Sequence, residues 1–298
     1  MIHTDILDTI GHTPLIRINR LNTNPNVELI AKFEGTNPTG SIKDRIALKM
    51  VEEAEAAGAL TKDKVIIEAT SGNTGIGLAM IGAVKGYDVT IVMSEAVSVE
   101  RQKMIKAFGS NIILTDPKKG TDGAIMKARE LIAVDPDKYF NPDQFSNEYN
   151  KTAHYDATAQ EIWDQTEGKV THFVSSLGTS GTLMGVGKML KERNPDVQII
   201  EAQPVEGHYI QGLKSMAEAI VPDIYDEDEI DVSILIDTEE AYEMARHIVR
   251  EEGIFVGMSS GAAMLAALQV AEELDEGLIV VMLPDRGEKY LSTDLFQV

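Results

Sequence analysis

The chain has 298 residues, of which 43% are hydrophobic and 25% charged, and a formal charge of -21 at neutral pH. That length suits one or two compact units with ample core. The acidity argues against nucleic acid or an anionic membrane surface as a partner, since both reward clustered Lys and Arg. Cys is absent, which excludes disulfides, thiolate metal sites and cysteine nucleophiles.

The opening stretch MIHTDILDTIGHTPL carries acids and no signal-peptide pattern, and no apolar run reaches membrane-spanning length, so a cytoplasmic location is the expectation. Residues 27–34 (VELIAKFE) read as a strand. After the turn Asn37-Pro38-Thr39-Gly40, a helix is expected over 44–58, with an apolar stripe at Ile46, Ala47, Met50, Val51 and Ala54. Ser41 as N-cap and Asp44 three residues on would make a capping box. Lys43 then falls in the first helical turn, where the backbone dipole disfavours a cation.

Strands follow at 64–69, 88–93 and 111–115, alternating with helices at 75–86, 98–108 and 121–133. Residues 135–155 are rich in turn formers, which suggests a boundary near 145–150. Beyond it come strands 171–177, 197–202 and 277–284, with helices 181–193, 238–252 and 260–274. The acidic run DIYDEDEID at 223–231 reads as a solvated loop. Strand–helix alternation implies parallel sheets with right-handed crossovers. Two sheets are expected, because the strand–glycine loop–helix pattern occurs at 64–86 and again at 171–193.

Three glycine-rich turns can carry chemistry. In ATSGNTGIG (69–77) small residues let the backbone approach a ligand, and the helix start faces an anion. Its G-x-x-G-x-G spacing is not the dinucleotide fingerprint, and a plain capped turn is the local alternative. Gly178-Thr179-Ser180-Gly181-Thr182 leaves a strand and opens a helix, as a phosphate cradle of main-chain N–H groups and hydroxyls would. It is not a Walker loop. VGMSSGAAM (256–264) places Ser259 before a small-residue helix, where capping alone would also explain it. The six histidines lack metal-ligand spacing, and Trp163 sits in a helical pattern as a core residue.

A nucleophilic lysine must lose its proton. Bringing its pKa from about 10.4 to about 7 costs the charged form roughly 4–5 kcal/mol. A helix terminus supplies only about 0.3–1 kcal/mol, so desolvation must carry the larger share. The reading for Lys43 is an amine that links to a carbonyl cofactor whose phosphate lies on residues 178–182. A solvated lysine beside Asp44 is the alternative.

Together, NPTGSIKDR, TSGNTG, GTSGT, GMSSGAA and PDRGEKYLST resemble the O-acetylserine sulfhydrylases, or cysteine synthases, over residues 5–293. The resemblance implies an α/β architecture of the tryptophan-synthase-β type (pyridoxal-phosphate fold type II), with two lobes that are each a mostly parallel sheet flanked by helices. The smaller, mobile lobe would span about 36–147, and the larger one about 1–35 plus 148–298. It also implies pyridoxal 5′-phosphate held as a Schiff base on Lys43. Gly178, Thr179, Ser180, Gly181 and Thr182 would hold the phosphate, Asn73 the ring hydroxyl oxygen, and Ser259 the ring nitrogen. Thr70, Ser71, Asn73, Thr74 and Gln144 would bind the substrate carboxylate, and no metal is expected.

The implied reaction is a ping-pong β-replacement through an aminoacrylate, giving L-cysteine from O-acetyl-L-serine, or another O-activated serine, and sulfide. The longer stretch EGHYIQGLKSMAEAIVPDIYD (206–226) resembles the B-type enzymes and their O-phosphoserine-using relatives, which carry arginine where this chain has Lys214. Lys214 is thereby a candidate contact for an anionic leaving group or for thiosulfate. Cystathionine β-synthase-like chemistry shares every cofactor motif. An NAD-dependent oxidoreductase is disfavoured because G-x-G-x-x-G is missing. A homodimer is expected, and a complex with serine acetyltransferase stays open.

Overall fold

A computed structural model describes residues 2–70 and 72–297. The N-terminal segment gives β1 (Leu15–Arg17) and β2 (Val27–Phe33), followed by α1 (Lys43–Ala56), β3 (Val65–Ala69) and α2 (Asn73–Lys85). Next come β4 (Val89–Ser94), α3 (Val99–Ala107), β5 (Asn111–Thr115), α4 (Gly120–Val134) and the short β6 (Tyr139–Phe140). A continuous helical segment contains α5 (Glu148–Ala153), a π-turn at His154–Thr158 and α6 (Ala159–Gln165). The remainder is β7 (His172–Ser176), α7 (Gly181–Arg193), β8 (Gln198–Pro204), β9 (Val232–Ile236), α8 (Thr238–His247), α9 (Met258–Glu273) and β10 (Gly277–Leu283).

Among the described residues the strands form two sheets. One has the order β1-β2-β10-β7-β8-β9, with only the β1–β2 pair antiparallel. The other has the order β5-β4-β3-β6 and is parallel throughout. Both central strands, β4 and β10, read as near-continuous buried apolar runs, as parallel strands covered on both faces must. One core packs α8 and α9 against β2, β8 and β10 through Leu29, Ile200, Met264 and Val281. A second joins α1, α2 and β4 through Val51, Ile76, Leu78 and Ile91. Gly86, at φ 75°, ends α2 in the left-handed conformation that a side chain resists. Among the described residues, no helix is long and apolar enough to cross a membrane.

The structure corrects several expectations from the sequence. The capping box at α1 does not form: Ile42 is the N-cap, and the Asp44 carboxylate turns back to accept from Thr39 N at 2.7 Å and from Thr39 Oγ1. The end of the stretch read as rich in turn formers is helical from Glu148 on. Asn147 caps α5 by accepting from Tyr149 N, and this continues to Gln165. Trp163 is only half-buried, packed beside a core cluster with Arg193 5.9 Å from its ring. The edge strands β1 and β9 escaped notice because one face of each lies open, with Leu235 60% exposed. The acidic run before β9 is largely exposed, as expected.

Candidate active site

The starts of α1, α2, α7 and α9 open onto one cavity at the C-terminal ends of the parallel strands. Lys43 is the first residue of α1, Asn73 the first of α2, Thr182 the second of α7 and Ser259 the second of α9, and all four line it. A helix start presents unpaired N–H groups and about half a positive charge. Four converging on one space make it a receptor for anions. Thr70, Thr74, Gln144, Gly178, Thr179 and Lys214 line the same cavity. Ser180 and Gly181 stand just behind Thr179 at the α7 start, off that lining. Ser71, expected in the same set, lies outside the described residues.

Backbone pairing fixes where the Lys43 amine sits. Ile42 N donates to Pro284 O at 2.8 Å, and Ser41 bridges Asp285, so the α1 start is tied to the end of β10. The amine keeps access to the cavity, but surrounding protein removes most of its water. Burial brings the Lys43 pKa from 10.5 down to about 8, and the Asp285 carboxylate opposes that shift. Desolvation is therefore the larger influence.

The loop between β3 and α2 is shaped by Gly72 at φ 132° and by Thr70 Oγ1, which accepts from Gly72 N at 3.1 Å. Thr74 Oγ1 donates to Gln144 Oε1 at 2.7 Å, and Gln144 Nε2 donates to Ala69 O at 3.2 Å, which joins this loop to the one after β6. At α7, Asn150 Nδ2 donates to Gln144 O at 2.7 Å and to Thr179 Oγ1 at 3.0 Å. His154 Nε2 lies 3.3 Å from Thr182 Oγ1, and burial, followed by the Lys43 and Arg45 charges, keeps its imidazole neutral. Lys214 Nζ donates to Ile220 O at 3.0 Å, lies 3.6 Å from Asp122 Oδ1 and stands 4.6 Å from the Phe145 ring centre.

Sequence reasoning missed a buried cluster beside Lys43. Asp285 Oδ2 accepts from Asn73 Nδ2 and from Tyr290 Oη, both at 2.7 Å, and Arg101 Nη2 lies 3.7 Å away. Arg101 also stacks 4.3 Å over the Tyr290 ring and donates to Gln211 Oε1. PDRGEKYLST contains Asp285 and Tyr290, but no spacing rule says that they turn back towards residue 73, so nothing local could single them out. Asn150 and His154 were hidden in the stretch read as turns.

The cavity fits pyridoxal 5′-phosphate on observations of its own polar atoms. Ser180 is held in the left-handed region at φ 68°, and its Oγ is buried without a hydrogen-bond partner among the described residues. Asn73 Oδ1 is buried and unpartnered in the same sense. A Cβ added to Gly178 would lie 2.6 Å from the Gly212 carbonyl oxygen, so the backbone there is bare by necessity. A desolvated amine, a bare-backbone helix start and unsatisfied polar atoms suit a carbonyl-bearing phosphate ester.

A family model described as pyridoxal-phosphate dependent enzyme matches residues 6–285. The chain is similar to the cysteine synthase of Aquifex aeolicus, at 49% identity over 98% of this chain and 91% of that one. It is also similar to cysteine synthase B of Pseudomonas aeruginosa, at 44% identity over 98% and 97%. Among solved structures, the cysteine synthase of Entamoeba histolytica superposes with a TM-score of 0.93 at 44% identity, covering 100% of this chain and 92% of that one.

Proposed function

The chain belongs to the pyridoxal-phosphate-dependent enzymes, in the branch that holds the cysteine synthases, and from that premise we propose that it forms L-cysteine from an O-activated L-serine and sulfide. When bound, pyridoxal 5′-phosphate supplies a carbonyl that links to amines and an electron sink that acidifies the substrate Cα–H. The observation that carries the reading is the Lys43 amine at the start of α1, its pKa brought down to about 8 by burial, in one cavity with the α7 start.

In this reading Lys43 Nζ anchors the cofactor and, once displaced by the amino-acid substrate, takes the Cα proton and later returns it. The N–H groups at the start of α7, with Gly178, Thr179, Ser180, Gly181 and Thr182, hold the phosphate. Asn73 binds the ring oxygen. Ser259 offers the ring nitrogen a neutral hydroxyl in place of a carboxylate, which favours β-elimination over transamination. Thr70, Ser71, Asn73, Thr74 and Gln144 receive the substrate carboxylate. The leaving group departs from Cβ and hydrosulfide takes its place, so O-acetyl-L-serine and sulfide give L-cysteine and acetate.

Acetyl is the preferred leaving group in this reading. The Lys214 ammonium is already engaged by Asp122 and the Ile220 carbonyl, and lysine lacks the forked geometry with which arginine grips a phosphate. The enzyme acts as a cytoplasmic homodimer, and residues about 36–147 form the lobe that moves over the substrate.

The test is a visible spectrum of the purified enzyme, followed by borohydride reduction and peptide mass mapping. The cofactor should map to Lys43, and Lys43→Ala should lose turnover by at least about 10³-fold, as removal of a covalent and proton-moving group does. Normal turnover in Lys43→Ala would overturn the proposal.

A further inference from the structure

The carboxyl of Glu68 is buried beneath the substrate side of the cavity, and the reaction as described does not use it. It stands on β3, one residue before Ala69 and two before Thr70, and is 1% exposed. Its Oε2 accepts from Asp143 N at 2.9 Å and its Oε1 from Gln144 N at 3.5 Å. Asp143 is in the left-handed region at φ 49°, a conformation that few residues with a side chain adopt without support from their surroundings. Support comes from several bonds within this turn. Asp143 O accepts from Ser146 N and Asn147 N, both at 3.0 Å, Asn147 Nδ2 donates to Pro142 O at 2.8 Å, and Glu68 takes the Asp143 N–H from below.

We propose that Glu68 is a positioning residue whose carboxylate holds the turn at 141–147 in the register that presents the Gln144 side chain to the substrate carboxylate. This rests on the substrate contact given above to Gln144. Both N–H groups point at Glu68, the Asp143 one shared with Asn141 Oδ1 at 3.3 Å, and the ionised carboxylate holds them more tightly than the protonated acid does, because a hydrogen bond to a charged acceptor is about twice as strong as a neutral one. Gln144 in turn accepts from Thr74 and passes its main-chain carbonyl to Asn150, which reaches Thr179. The same carboxylate thus steadies a bond network running from the substrate loop to the phosphate loop.

Burial makes the charge of Glu68 depend on pH in the range above neutrality. Burial, and then the Asp143 carboxylate, raise its pKa from 4.5 to about 8, against the bonds from Gln144 and Asp143. Asp143 and Arg129 of α4 are the charged groups lining the small space around it. On the strand side its neighbour is the apolar Ile91. Glu68 is therefore largely neutral at pH 7, and it ionises as the pH rises through about 8, which tightens the turn.

The test compares holoenzyme of wild type and Glu68→Gln, which has the shape of the neutral form, across pH 6.5–9.5 with O-acetyl-L-serine. The ratio of the variant's KM to the wild-type KM cancels the titration of the substrate itself. That ratio should lie near one at the acidic end and rise to about tenfold above pH 9, with kcat within about twofold. In wild type, amide exchange of the peptide spanning 141–147, corrected for intrinsic rates, should slow through the same pH range, and this readout needs no variant. Gln144→Ala should raise KM, and adding Glu68→Gln to it should add nothing. An unchanged KM in Gln144→Ala removes the substrate contact and the proposal with it. A raised KM there, combined with a pH-independent Glu68→Gln ratio or unaltered exchange, removes the positioning role alone.

Discussion

Asp285→Asn isolates the charge that opposes the loss of the Lys43 proton. The amine has moved from 10.5 to about 8, the net of burial pulling down and Asp285 pulling up. That net shift is about 3 kcal/mol at 1.36 kcal/mol per unit. Asparagine keeps the volume of the buried side chain and leaves Tyr290 Oη an acceptor, while the negative charge disappears. An opposite charge close by is worth about 1–3 units. Arg101, 3.7 Å from the Asp285 carboxylate, already offsets part of its field, so the low end, about one unit, is expected.

The assay follows the rate at which apoenzyme takes up pyridoxal phosphate, by stopped-flow absorbance between pH 6 and 9. Only the neutral amine attacks a carbonyl, so the wild-type rate should rise through about pH 8. In Asp285→Asn the rise should come about one unit earlier, with uptake about fivefold faster at pH 7, as the neutral fraction dictates. Final affinity should fall, because Asn73 Nδ2 loses the carboxylate that orients it. An inflection that stays in place or moves to higher pH would refute the electrostatic argument.

Gly178→Ala should weaken cofactor binding about tenfold or more, the cost of forcing a methyl group against rigid packing. The new Cβ would lie 2.6 Å from the Gly212 carbonyl, which is backbone and yields little. Fluorescence titration of the apoenzyme checks this, and equal affinities would contradict it. Lys214→Ala should change turnover of O-acetylserine and of O-phosphoserine alike by less than about twofold, since the ammonium is already held by Asp122 and the Ile220 carbonyl. A loss of about tenfold or more confined to O-phosphoserine, as a contact worth about 1.5–3 kcal/mol would give, would contradict the preference for acetyl.

The pattern of strand, glycine turn and helix was legible because each turn is local. Thr70, Asn73, Thr179 and Ser259 announce themselves as small polar residues at helix starts, and the structure brings them to one cavity. Lys43 was legible as an anomaly, a cation at a positive helix end. What the chain conceals is contact across long separations. Asp285 meets Asn73 from 212 positions away, and Asn150 meets Thr179 from 29. The Asp44 side chain was misread for a related reason. Asp at the third position of a capping pattern suggests a bond to the cap residue, but Thr39 in the preceding turn offers both an N–H and a hydroxyl, and two donors to one buried carboxylate outweigh a single cap bond.

The acidity of the whole chain and the anionic nature of the proposed ligands are compatible because they act at different ranges. Surface carboxylates more than about 8 Å from the site are screened at physiological salt. The helix starts and Arg101 act within the cavity, where water is scarce and charges count for more. Ammonium groups cannot supply all of that positive potential, since a lysine desolvated enough to be useful as a base gives up its charge more readily. Lys43 moves in that direction, with its pKa brought to about 8. Backbone dipoles do not titrate, so they keep the cavity positive while the amine cycles between its two forms. This division of labour places the permanent field on α2, α7 and α9 and leaves the start of α1, alone of the four, to carry a titrating amine.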